Sequence, residues 1–143
     1  LTYPLHILIR YELEKDLFAG KLQTKDLPAA WNAKYRELLG VEPQTDSEGV
    51  LQDTHWASGL LGYFPSYAVG SAIAAQIEAY LRRTMDLDGA LRSGSLGSIR
   101  EFLREHIHQY GGERTTQELL TAMTGEGFEP RYYFDYLEQK YGV

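Results

Sequence analysis

A chain of 143 residues with 43% apolar and 24% charged side chains has the make-up of one globular domain, large enough to bury about two-thirds of its unfolded surface. No apolar run approaches the ~20 residues that span a bilayer, and a net charge of −6 with 14 scattered Lys and Arg residues counts against nucleic-acid binding, which starts from a basic patch. The lack of cysteine excludes disulfides and thiolate metal sites.

Residues 2–20, TYPLHILIRYELEKDLFAG, read as a helix with Leu5, Leu8, Ile9 and Leu13 on one face and Gly20 as its C-cap. Glu12 and Asp16 lie one turn apart and read as a solvated flank. A second helix follows in residues 26–40, with Thr24 or Asp26 as cap and Pro28 in the first turn. Trp31, Tyr35, Leu38 and Leu39 form its buried stripe, and Gly40 ends it.

Residues 41–58, VEPQTDSEGVLQDTHWAS, show no helical period and form the longest irregular segment. From Phe64 or Pro65 the chain becomes its most apolar helix, reaching to Met85 with the small residues Ala68, Gly70, Ser71, Ala72, Ala74 and Ala75; it is expected to be central and buried. A connection from Asp86 to Gly94 then leads to three more helices. The first places Ile99, Phe102, Leu103, Ile107 and Tyr110 on one side, the second starts at a cap on Thr115 or Thr116, and the last carries Tyr133, Tyr136, Leu137 and Tyr141. No period-two strand or internal repeat is legible, so the expectation is all-α, in a single domain over residues 1–143.

The stretch GVLQDTHWASGLLGYFPSY, residues 49–67, concentrates the chemistry. Gln52, Asp53, His55 and Trp56 fall within five positions, in a long loop of the kind that carries function. An Asp two residues before a His can hold one imidazole tautomer, and such a His can donate to an oxyanion or a carboxylate. Equally, loop Asp and His residues cap helices and close turns. Tyr63, between Gly62 and Phe64-Pro65, can donate to a substrate oxygen or can cap the following helix, and Tyr67 one turn on reads as structural. His6, His106 and His108 read as surface or packing residues, and no His-x-x-x-His spacing is present. GSLGS at 94–98 lacks the lysine of a phosphate-binding loop.

The pattern Gly-x-x-Gln-Asp-x-His-Trp, spelled by Gly49, Gln52, Asp53, His55 and Trp56, resembles that of the carboxypeptidase Taq family of thermostable metallocarboxypeptidases. GYFPSYAVGSAIAAQ resembles the segment after that motif, residues 2–20 resemble the helix after the family's Ile-Arg-x-x-Ala-Asp, and residues 118–142 resemble its C-terminal end. The resemblance implies the helical C-terminal portion of a zincin-like, neurolysin-type metallopeptidase. The His-Glu-x-x-His motif, the third glutamate ligand and the Ile-Arg-x-x-Ala-Asp arginine precede the resembled region and are absent here, so no metal ligand falls in this chain. It further implies zinc or another divalent metal in the full-length enzyme, a peptide C-terminus as substrate, the missing N-terminal part of the enzyme as partner, a homo-oligomer and a cytoplasmic setting.

By the same resemblance His55 and Tyr63 are the hydrogen-bond donors, one to the oxyanion and one to the terminal carboxylate. Gln52 contacts substrate, Asp53 orients His55, Trp56 packs beneath, and Tyr67 lines the substrate site. The isolated chain is expected to hydrolyse nothing and, with once-covered apolar surface exposed, to associate. The competing expectation is a stand-alone helical interaction module that pairs through the small-residue face of residues 64–85.

Overall fold

The computed structural model describes residues 2–142; Leu1 and Val143, the ends of the segments read above, lie outside the described residues. Its helices are α1 (Thr2–Phe18), α2 (Leu27–Leu39), α3 (Thr54–Ala57), α4 (Pro65–Thr84), α5 (Leu87–Ser93), α6 (Gly97–His106), α7 (Thr116–Thr124) and α8 (Arg131–Tyr141), and no strand occurs among the described residues. The all-α expectation holds. No helix among them is long and apolar enough to cross a membrane. Two compact units divide the chain, Leu1–Gly70 and Ser71–Val143, with α4 beginning in the first and continuing into the second.

In the first unit α1 and α2 close over Ile9, Leu13, Leu27, Trp31 and Val50, with Leu17, Tyr35, Leu38, Leu39 and Trp56 packed around them. Trp31 is the keystone, 1% exposed and stacked on Tyr35 at 5.0 Å. The buried face of α1 is rotated from the expected one. Ile9 and Leu13 enter the core, but Leu8 is 39% exposed, and the charged Arg10 and Glu14 are buried in its stead. The physical reason is that both charges find partners, the buried Asp53 carboxylate for Arg10 and the Gly62 N–H for Glu14, which offsets the penalty that would have kept them in water. Glu12 is not a solvated flank either: its carboxylate pairs with Lys34 of α2 at 2.6 Å, and that bond holds the Lys34 ammonium above its ordinary range.

Neither Thr24 nor Asp26 caps α2 through its side chain. Residues Thr24–Asp26 form a 3-10 turn that runs straight into the helix, which leaves Asp26 in helical geometry, while Pro28 sits in the first turn as read. Gly40, at φ +69°, ends α2 by donating to Arg36 O, a conformation that side-chain-bearing residues resist. The following loop is not irregular throughout, since a 3-10 turn over Val50–Gln52 delivers the chain to the short α3.

In the second unit the core is Ala72, Ala75, Gln76, Leu81, Leu87, Leu120 and Met123. Gln76, 1% exposed, satisfies both ends of its amide on one segment: Nε2 donates to Gly127 O at 2.7 Å and Oε1 accepts from Glu129 N at 3.0 Å. The expectation of a central, buried α4 fails for much of its length. Val69 is 46% exposed, Gly70 and Ala74 are exposed, and a Cβ built on Gly70 would meet nothing within 4 Å. Small residues open a path for a neighbour without supplying one, so composition alone overstates burial.

The connection expected from Asp86 to Gly94 is helical, because Asp86 accepts from Gly89 N at 2.9 Å and caps α5. α6 stops at His106, so Ile107 and Tyr110 lie beyond it, the latter in a 3-10 turn. α7 starts at Thr115 with a reciprocal capping box to Glu118.

Candidate functional site

Asp53 organises the site from the backbone outward. It stands at the N-cap of α3, where its Oδ1 accepts from His55 N at 2.8 Å and Trp56 N at 3.2 Å. Its Oδ2 accepts from Arg10 Nε at 2.9 Å, in an ion pair whose side chains are 0% and 8% exposed. A carboxylate so placed is shared between a helix terminus and a cation.

Arg10 is the hub behind it. Its Nη1 donates to His6 O at 2.9 Å, to Tyr35 OH at 3.2 Å and to His6 Nδ1 at 3.1 Å. The guanidinium lies between two rings, 4.6 Å from the centre of Trp31 and 4.5 Å from that of Phe64. A cation held near two rings that also donates to several acceptors at once is a role that suits Arg better than Lys. Burial first, and then the Arg10 charge, hold the His6 imidazole below its ordinary range, which suits it to accept as a neutral ring.

His55 sits on this platform. Its Nδ1 is 3.6 Å from Asp53 Oδ1, and its Nε2 shares a hydrogen bond of 3.1 Å with Tyr67 OH. The ring packs edge-on against Phe64 at 4.8 Å and stacks on Tyr63 at 5.8 Å with 20° between planes. Tyr63 and Tyr67 meet edge to face at 5.5 Å. Burial, the neighbouring Tyr63 hydroxyl and Tyr3 hold the Tyr67 phenol above its ordinary range.

Tyr63 is positioned by its backbone. Gly62 turns the chain at φ +71° and its N–H donates to Glu14 Oε1, a buried carboxylate of α1. The Tyr63 carbonyl accepts from Ser66 N at 3.1 Å and Ser66 Oγ at 2.6 Å, holding the first turn of α4. The two roles read for Tyr63 therefore separate by atom, with the carbonyl capping the helix and the ring, 46% exposed, facing out.

The structure brings Asp53, His55, Tyr63 and Tyr67 together. The Gln52 amide donates to Ser47 O within its own loop, and Trp56 packs edge-on to Trp31 at 6.1 Å. Arg10, Glu14 and Phe64 escaped the sequence reading, and His6 was passed over as a packing residue. The signal for the first two was an Arg-Glu pair at i,i+4 flanking Leu13, a spacing that ordinarily marks a solvated helix face. As for a metal, no group of three or more His, Cys, Asp or Glu side chains that could hold one occurs among the described residues. At the cluster itself both Asp53 oxygens are already engaged, which leaves the His55 ring alone, so these residues do not fit a metal centre.

In this all-helical chain one imidazole and two phenols are thus in mutual contact around His55. The sequence profile described as carboxypeptidase Taq (M32) metallopeptidase matches residues 1–141, and the chain belongs to that family. It is 46% identical over 142 residues to "Carboxypeptidase 1" of Bacillus subtilis, covering 99% of this chain and 28% of the relative. It is 42% identical over 144 residues to "Thermostable carboxypeptidase 1" of Thermus thermophilus, covering 100% and 28%.

Among solved structures, Trypanosoma cruzi metallocarboxypeptidase 1 superposes with a TM-score of 0.93 at 42% identity, covering 99% of this chain and 30% of that one. Pyrococcus furiosus carboxypeptidase gives 0.93 at 37%, covering 98% and 28%. The chain thus spans a little over a quarter of the length of these relatives. A metallopeptidase family implies a divalent metal and peptide substrates.

Proposed function

We propose that this chain is the C-terminal, substrate-facing part of a single larger catalytic domain, that of a zinc carboxypeptidase removing C-terminal amino acids from peptides. His55 and Tyr63 are its hydrogen-bond donors, one to the carbonyl oxygen that gains charge as water adds and one to the terminal carboxylate. Tyr67 sets the His55 ring from the Nε2 side and Asp53 from the backbone side. Gln52 and Trp56 contribute through the loop and core that carry them.

The observation behind this reading is the His55–Tyr67 hydrogen bond of 3.1 Å beside the stacked Tyr63 ring, on a backbone fixed by Asp53. Donors fixed before charge develops need no reorganisation at the moment of reaction, which is why such groups are effective. Zinc belongs to the complete enzyme in this proposal, with ligands outside this chain. A homo-oligomer and a cytoplasmic setting belong to the same proposal.

The purified 143-residue chain, supplied with zinc, is expected to release no amino acid from a peptide. The complete enzyme carrying His55→Ala or Tyr63→Phe is expected to lose about 100- to 1,000-fold in kcat. Hydrolysis by the chain alone, or full kcat in both variants, would sink the proposal.

A further inference from the structure

We propose that Arg10 and Glu14, one turn apart on α1, are the positioning residues that set the spacing of His55 and Tyr63. The inference rests on the functional reading of that pair, but the tethers themselves are structural facts. Both side chains are buried, each residue 6% exposed, and each buried charge is tied to one end of the segment that runs from Asp53 to Gly62. Arg10 grips the start through Asp53 Oδ2, the cap of the helix bearing His55. Glu14 grips the end through Gly62 N, the residue before Tyr63.

The geometry makes α1 a ruler. Four residues of α-helix advance about 6 Å along the axis, and the two gripping residues stand at that fixed separation, one holding each end of the segment that leads from His55 to Tyr63. A rigid rod with two grips can impose that separation; a free ten-residue loop between the same points would sample many. The two grips are also chemically distinct. Arg10 acts through a carboxylate and fixes the α3 backbone together with the face of Phe64, against which His55 packs. Glu14 acts on a main-chain N–H at a turn of φ +71°, so it governs the direction in which Tyr63 leaves.

Removing one grip should therefore disturb one donor and spare the other. A role in general stability would disturb both.

The experiment is nuclear magnetic resonance on the nitrogen-15-labelled chain, comparing Arg10→Lys, Arg10→Met, Glu14→Gln and Glu14→Met. In Glu14→Met the Gly62 amide is expected to exchange with solvent about tenfold faster, and Tyr63 ring signals to move, with the His55 ring nitrogens unchanged. Glu14→Gln keeps an acceptor oxygen and should restore Gly62 to within about threefold. In Arg10→Met the His55 ring nitrogens should move while Gly62 stays protected, and Arg10→Lys should recover them only in part.

Unchanged Gly62 exchange in Glu14→Met would overturn the proposal. So would protection lost evenly across residues 2–70 in Glu14→Met and Glu14→Gln alike. These signals need no substrate, so full kcat in the His55→Ala enzyme would remove the functional reading and leave the tethers standing.

Discussion

His6 shows how much a residue's neighbours decide. Its Nδ1 takes a hydrogen bond from Arg10 at 3.1 Å and its ring meets Tyr3 and Phe64 edge-on; burial first, and then the Arg10 charge, lower its pKa from the ordinary value of 6.5. The folded state then binds protons less readily than the unfolded one. Stability is present in full above pH 6.5 and is lost as pH falls from there through the lowered folded value. Urea midpoints taken near pH 7.5 and 5.5 are expected to differ less in His6→Gln than in the unaltered chain.

The same neighbourhood explains what was legible at this scale. His55 and Asp53 stood out because they share a loop with little else to do. Arg10 and Glu14 did not, because a charge on a helix reads as solvated until its partner, 43 or 48 positions away, is known. Tyr67 read as structural for a related reason: nothing in its own helix announces the His55 ring twelve residues earlier.

Elements differ in how locally they are specified. α7 was legible from its start, since a capping box needs only four consecutive residues, and Thr115 and Glu118 bond each other as such a box requires. Thr115→Ala is expected to lower stability by about 1 kcal/mol, read as a fall in the urea midpoint at unchanged slope. An unchanged midpoint would show that α7 is held by Leu120 and Met123 instead.

α5 was not legible. Seven residues with a glycine inside and one buried side chain, Leu87, look like linker, and the Asp86 cap at one end and the left-handed Gly94 at the other close them into a helix. The face of α1 was misplaced for the opposite reason, since periodicity counts apolar residues and cannot foresee that two charges will be buried with partners.

Across the whole molecule, the two units keep separate cores yet leave much apolar surface open. Phe18 is 70% exposed, Leu51 67%, Phe134 61% and Leu61 53%; Tyr11, Phe18, Leu61 and Pro65 line one groove of the first unit. Apolar groups at that density seek cover. Sedimentation of the 143-residue chain is expected to show association that grows with concentration and weakens in Phe18→Ser/Leu61→Ser. A monomer at every concentration would count against this, and against the competing idea of an interaction module built on the open face of α4.

Long reach also fixes an order of events. The bonds from Arg10 to Asp53 and from Glu14 to Gly62 close loops of more than forty residues, and loop-closure entropy must be met before such contacts return anything. α1 and α2 can pair early through nearby partners, whereas the His55 platform assembles only once the distant segment has been drawn back onto α1. The His55 cluster is thus expected to be a late product of folding, and brief opening of the Asp53–Gly62 segment would dismantle it while most of the helices stay intact.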